Sequence, residues 1–155
     1  MATSLGVDIP VLWSYVRQVR EATAAILGHY PAGICDATSM VASELVANAI
    51  KYGESIPQAP SAQFNLKISD GAIKIEVRNG TMSQAHVDIV RTRISEISAA
   101  KDKDELYLAR LQDAMCGQSR HGQLGLYRVW CEGKFSLEYE YSNHVLTIIA
   151  TRELS

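Results

Sequence analysis

Residues 64–77 have the sequence FNLKISDGAIKIEV, and this stretch decides the fold. Apolar and polar side chains alternate on both sides of the pair Asp70-Gly71. The apolar positions are Phe64, Leu66, Ile68, Ile73, Ile75 and Val77. A period of two is typical of β-strands, and Asp-Gly is a favoured pair in two-residue hairpin turns. The stretch therefore predicts a β-hairpin.

Helical periodicity flanks this hairpin, because apolar residues recur there at intervals of three and four. The predicted helices span residues 10–28, 34–52, 87–97, 104–115 and 124–131. A second hairpin is predicted over residues 135–141 and 145–151, with a turn at Ser142-Asn143. Strands that are grouped in hairpins favour an antiparallel sheet with helices packed on it. We therefore expect an α+β fold, a two-layer α/β sandwich whose mixed, mostly antiparallel sheet is covered by helices on one face.

Length and composition predict one ordinary globular domain over residues 1–155, of which 47% are hydrophobic and 21% charged. Fifteen Lys and Arg against seventeen Asp and Glu give a formal net charge of -2, which argues against nucleic-acid and polybasic membrane partners. The longest apolar runs are too short for a membrane span. Three cysteines without CxxC spacing and an N-terminus without a secretory pattern predict a cytoplasmic protein with reduced thiols.

One side of the second predicted helix carries three polar residues, Glu44, Asn48 and Lys51. At about 100° per residue they lie within about 60° of one another, beside the apolar stripe rather than opposite it. The Asn48 amide oxygen can ligate Mg²⁺, the Glu44 carboxylate can activate a hydroxyl or a water, and Lys51 can neutralise phosphate charge. The stripe therefore suits magnesium–phosphate chemistry. The alternative is a solvated helix edge with a charge pair between Glu44 and Lys51.

Residues 44–53, ELVANAIKYG, resemble the N-box of the GHKL ATPases, the superfamily that includes histidine-kinase ATP-binding domains, gyrase and MutL. The resemblance covers almost the whole chain, so it implies a single Bergerat-type ATP-binding domain. It also implies ATP and Mg²⁺ as cofactors. By the same resemblance, Glu44 is the catalytic general base or water-positioning residue, Asn48 binds the metal, and Lys51 contacts phosphate.

The family's first glycine motif, Asp-x-Gly-x-Gly after a strand, corresponds to Asn79-Gly80 and the residues that follow. In the family the Asp binds the adenine amino group, and here Asn79 replaces it. An amide oxygen still accepts a hydrogen bond, but it is neutral and the bond is weaker. The resemblance implies that Asn79 and Gly80 contact the nucleotide.

The second glycine motif, Gly-x-Gly-x-Gly before a helix, corresponds to Gly122-Gln123-Leu124-Gly125. The resemblance implies nucleotide contacts at Gly122, Leu124 and Gly125, where backbone N–H groups at a helix start would approach phosphate. Gln123 stands where the family prefers Gly, and its side chain disfavours some positive-φ conformations. The motif therefore departs from the family pattern.

A chain that is filled by this one domain resembles the stand-alone anti-sigma-factor serine kinases, and in particular the SiaB-like branch. The resemblance implies an ATP-dependent Ser/Thr protein kinase of a bacterial partner-switching system. Its partner would be a small antagonist protein, STAS-like or SiaC-like, or a sigma factor. Relatives of this kind often form homodimers, so the resemblance is also compatible with a homodimer, while the sequence leaves the oligomeric state open.

Two other interpretations stay open. Asn79 and Gln123, at positions where the family has Asp and Gly, are consistent with a non-catalytic binding module. Such a module would sequester its partner on the same fold and would have lost nucleotide binding. The other interpretation is an unrelated α+β protein in which the N-box match arose by chance.

Overall fold

The computed structural model of the chain describes residues 2–9, 14–116 and 124–154. The strands are β1 (Thr3–Ile9), β2 (Ala62–Ser69), β3 (Ala72–Gly80), β4 (Ser136–Ser142) and β5 (Val145–Glu153). The helices are α1 (Ser14–Ile26), α2 (Ala32–Tyr52), α3 (Gln84–Ala99), α4 (Lys103–Met115) and α5 (Gly125–Cys131). These elements confirm the predicted α+β fold, with each predicted helix and hairpin present. Residues 10–13, at the predicted start of the first helix, lie outside the described residues.

The five strands form one sheet in the order β1-β2-β3-β5-β4. Neighbouring strands are antiparallel at every described pair, where the sequence had allowed some parallel pairing. Both hairpins close through tight turns with two residues at positive φ, Asp70 and Gly71 in one, Asn143 and His144 in the other. This geometry twists in the same sense as the strands that it joins.

Strand β1 is the element that the sequence analysis missed. It pairs antiparallel with β2, from Thr3 opposite Ile68 to Ile9 opposite Ala62. Its inner side chains include Leu5 and Val7, which pack against the core. Leu5, Val7 and Ile9 do alternate with Ser4, Gly6 and Asp8, so a short period-two signal was present, but three apolar positions around a glycine are a weak pattern.

One face of the sheet is buried and the other is open. In β2 the side chains of Phe64 and Leu66 are buried, whereas those of Asn65 and Lys67 between them are exposed. Strand β3 repeats this alternation, so the apolar sides of the central hairpin share one face. The helices pack on that buried face, which completes the two-layer sandwich.

Helix α2 is the central helix of the covering layer and packs against α1, α5, β2 and β3. Its buried apolar residues are Val41, Ala42, Leu45, Val46, Ala49 and Ile50. The helix begins directly after Pro31 and ends at Tyr52, and the N–H of the following Gly53 donates to the Ala49 carbonyl at 2.8 Å. None of the described helices has both the length and the apolar composition needed to cross a bilayer.

Adjacent residues of β2 test the assignment of the two sheet faces. We expect Leu66→Ala, at 1% exposure, to lower the free energy of unfolding by about 2–5 kcal/mol because it leaves a cavity in the core. Its control, Lys67→Ala on the open face, should change stability by no more than about 0.5 kcal/mol. Urea denaturation of both variants measures the difference, and equal losses would contradict the assignment.

Candidate functional site

The three polar residues of the predicted stripe lie on one uninterrupted helix, since α2 runs from Ala32 to Tyr52. Glu44 and Asn48 are half-buried, and Lys51 is exposed near the end of the helix. The side chain of Asn48 makes no hydrogen bond to any other residue that the structure describes, so its amide oxygen is available to a ligand. An oxygen of this kind fits Mg²⁺, which accepts a single protein ligand when phosphates and waters supply the rest.

A close contact joins Glu44 to the start of α5. Gly125 is buried, and a Cβ atom added to it would lie 2.8 Å from Oε2 of Glu44. Only glycine therefore allows the helix start to approach the carboxylate this closely. Gly125 thus lies beside Glu44, as expected if both residues belong to one site.

A second close contact lies at the other end of the stripe, where α2 meets the end of β3. A Cβ atom at Gly53 would lie 3.2 Å from the Cβ of Asn79, and the N–H of Glu54 donates to the Gly80 carbonyl at 2.7 Å. Asn79 is 5% exposed, and its amide nitrogen donates to the Gly80 carbonyl at 3.0 Å. Its side-chain oxygen keeps its acceptor capacity.

The two contacts mark the ends of one stretch of α2. Glu44 and Gly53 are nine residues apart, which corresponds to about 14 Å of helix at 1.5 Å per residue. Asn48 and Lys51 lie between them on the same helix. Glu44, Asn48 and Lys51 thus share one side of α2, Gly125 adjoins Glu44, and Asn79 and Gly80 lie against the C-terminal end of the helix.

Of the two remaining predicted nucleotide contacts, Gly122 and Leu124, the structure describes only Leu124. Gly122 and its neighbour Gln123 lie outside the described residues. Leu124 precedes α5, is half-buried and packs against the core, and its carbonyl accepts from the N–H of Arg128 at 3.0 Å. The side chain of Leu124 is therefore a packing group, and only its backbone could serve a ligand.

Arg128 is the residue of this region that the sequence analysis missed. Its Nη1 donates to Oε1 of Glu44, and its Nε donates to Oε2 of Glu132 at 3.0 Å. Burial alone would lower the pKa of Arg128, but the hydrogen bond to Glu132 and the charges of Glu44 and Glu132 together raise it. In the sequence, the only signal for this contact was a basic residue among the buried side chains of α5. The sequence does not indicate its partner, because Glu44 is 84 positions away.

The ion pair continues to α4 through Glu132. The hydroxyl of Tyr107 donates to the same Glu132 oxygen that Arg128 contacts. This hydrogen bond, with Arg128, lowers the pKa of Glu132, while burial and the Glu132 contact raise the pKa of Tyr107 to about 12. Glu132 is therefore ionised and Tyr107 neutral near pH 7, and a charge-assisted chain links Glu44 to α4.

Two aromatic rings lie near Lys51, at the C-terminal end of the stripe. The ring of Tyr52 stacks on that of His86 in α3, with 4.3 Å between centroids, and Nζ of Lys51 lies 5.2 Å from the Tyr52 centroid. Burial lowers the pKa of His86, so the ring is neutral near pH 7. The described residues contain no cluster of three or more His, Cys, Asp or Glu that could hold a metal without a substrate.

Comparisons with known proteins bear on the fold. No protein-family model matches the chain, and no curated protein matches its sequence. Among solved structures, a chain in the crystal structure of the SiaB–SiaC complex from Pseudomonas aeruginosa matches with a TM-score of 0.70 at 17% sequence identity. The match covers 96% of this chain and 89% of that chain. The two chains therefore share a fold over almost their whole length.

A double-mutant cycle tests whether Arg128 holds Glu44. The side chains of Glu44 and Arg128 are 24% and 38% exposed, so we expect a coupling energy of about 1 kcal/mol between Glu44→Ala and Arg128→Ala. The matched control is the i,i+4 pair Arg17–Glu21, whose side chains are 84% and 69% exposed. Its coupling should be about 0.3 kcal/mol. Urea denaturation supplies all four free energies of each cycle, and equal couplings would contradict the role of Arg128.

Proposed function

We propose that this chain is a Mg-ATP-binding regulatory protein of a partner-switching system that phosphorylates a Ser or Thr of a small, SiaC-type partner protein. The observation that carries the proposal is the stripe of Glu44, Asn48 and Lys51, bounded by the close contacts at Gly125 and at Asn79–Gly80. The resemblance of residues 44–53 to the GHKL N-box is the reason for proposing ATP as the nucleotide. The fold shared with a chain of the SiaB–SiaC complex supports the type of partner.

Each residue of the stripe has a role in this reaction. Asn48 would bind Mg²⁺ through its amide oxygen, and Lys51 would neutralise phosphate charge. The acceptor hydroxyl gives its proton to Glu44 and its oxygen bonds to the γ-phosphorus, while the bond from that phosphorus to the β–γ bridging oxygen breaks. ADP leaves with that electron pair. Phosphoryl transfer depends mainly on positioning and charge stabilisation, which fits a carboxylate held by Arg128.

A second candidate function is a non-catalytic module that sequesters its partner, whether an antagonist or a sigma factor. The observation that favours it is the neutral Asn79, whose amide nitrogen is already used by the Gly80 carbonyl. One acceptor oxygen remains there for adenine, without the charge of a carboxylate. Nucleotide binding on this scaffold would then be weak, and function would come from protein contacts alone.

Isothermal titration calorimetry with ATP and Mg²⁺ tests the nucleotide site. We expect saturable binding that EDTA weakens, and Asn48→Ala should raise Kd at least about tenfold because the metal loses its protein ligand. Asn65→Ala, an exposed amide on the open sheet face, is the matched control and should leave Kd unchanged. Failure of the wild-type protein to bind Mg-ATP, or equal Kd values for Asn48→Ala and wild type, would refute the proposal.

Phosphate transfer separates the kinase from the sequestering module. Radiolabelled ATP is incubated with the protein and a SiaC-type protein encoded in the same genome. The kinase predicts a labelled partner, and Glu44→Gln should reduce the rate by about 100-fold or more while nucleotide binding persists. Partner binding without label would favour the sequestering module instead.

A further inference from the structure

A groove between α1 and α2 reaches Glu44 from the side away from Asn48. It encloses about 460 Å³. Its walls are formed by Val16, Arg17, Arg20, Ser43, Glu44 and Ala47. The groove is therefore separate from the glycine contacts at Gly125 and Asn79, and it shares only Glu44 with the proposed nucleotide site.

Helix geometry explains why Glu44 lies on the boundary between the groove and the nucleotide site. At about 100° per residue, Asn48 lies about 40° to one side of Glu44, while Ala47 and Ser43 lie about 60° and 100° to the other side. A group bound by Asn48 and a group seated over Ala47 would therefore meet at the Glu44 carboxylate. That is the arrangement that a proton-accepting residue between two substrates requires.

Two arginines of α1 line the outer wall of the groove. Arg17 and Arg20 both lie on α1 and are exposed, and Arg17 pairs with Glu21 at 3.4 Å, a pair accessible to solvent. Arg20 forms no ion pair with the other residues that the structure describes. Val16 and Ala47 leave a small apolar floor between these charges and Glu44. The walls therefore complement an extended segment that carries carboxylates along one side.

We propose that this groove docks an acidic, Ser- or Thr-bearing segment of a protein partner, and this inference rests on the function proposed above. The carboxylates of the segment pair with Arg20 and, by replacing its solvent-exposed contact with Glu21, with Arg17. The hydroxyl of the segment lies over Ala47 within reach of Glu44. The two substrates of the transfer then approach the Glu44 carboxylate from its two flanks, about 100° apart around α2. The groove selects the partner by charge, and the nucleotide side performs the transfer.

Peptide titrations followed by amide NMR test the groove directly. The probes are a synthetic Ser-containing peptide flanked by Asp and Glu, and the same peptide flanked by Lys. The acidic peptide should cause saturable shifts in residues 16–20 and 43–47, and the Lys-flanked peptide should not. Shifts elsewhere, no shifts, or equal effects of both peptides would overturn the proposal.

Charge reversal of one wall residue supplies the matched variants. Arg20→Glu should weaken binding of the acidic peptide about tenfold, because it replaces an attraction by a repulsion. Arg91→Glu, an exposed arginine of α3 away from the groove, should leave peptide binding unchanged. Equal peptide affinities for Arg20→Glu and wild type would overturn the proposal.

The two proposals fail in different ways. Mg-ATP affinity, measured on the same variants, should be unaffected by Arg20→Glu because Arg20 lies outside the nucleotide side. A protein that binds the acidic peptide in the groove but does not bind Mg-ATP refutes the kinase and leaves the docking groove. A protein that binds Mg-ATP and ignores the acidic peptide refutes the groove and leaves the nucleotide site.

Discussion

The burial of α2 against the sheet is the constraint on which the rest of the structure depends. The helix buries Val41, Leu45 and their apolar neighbours, and a helix can turn only one side to a core. Polar residues about a quarter-turn away are then held at the flank, half-covered by neighbouring elements. Glu44 and Asn48 occupy that flank, so the packing that stabilises the fold also orients the polar groups of the candidate site.

Glycine sets how closely other elements approach this flank. At Gly125 the start of α5 comes within van der Waals distance of the Glu44 carboxylate, and at Gly53 the end of α2 reaches Asn79. Any side chain at Gly125 would push α5 away from Glu44, and a Cβ atom at Gly53 would lie 2.2 Å from the Ala49 carbonyl oxygen of α2 itself. The ion pair with Arg128 then fixes the Glu44 carboxylate between α5 and the groove against α1, so one carboxylate borders both surfaces.

The sequence predicted the features that depend on local pattern. Alternation around Asp70-Gly71 predicted the central hairpin, and the spacing of Glu44, Asn48 and Lys51 predicted their common side of α2. Features that depend on distant partners were missed: β1 pairs with a strand more than 50 residues away, and Arg128 meets Glu44 from 84 positions away. The periodicity of a short segment carries no information about contacts with such distant residues. The predicted nucleotide contact at Gly122 lies outside the described residues.

Paramagnetic broadening by Mn²⁺ tests the central claim, that the flank of α2 holds a metal–nucleotide complex. Mn²⁺ takes the same oxygen ligands as Mg²⁺ and is added to the ¹⁵N-labelled protein with a non-hydrolysable ATP analogue. The account predicts that amides of residues 44–51 broaden first, and that this requires the analogue. Broadening that is confined to the acidic residues Glu138 and Glu140 of the open sheet face, or that is the same without the analogue, would contradict it.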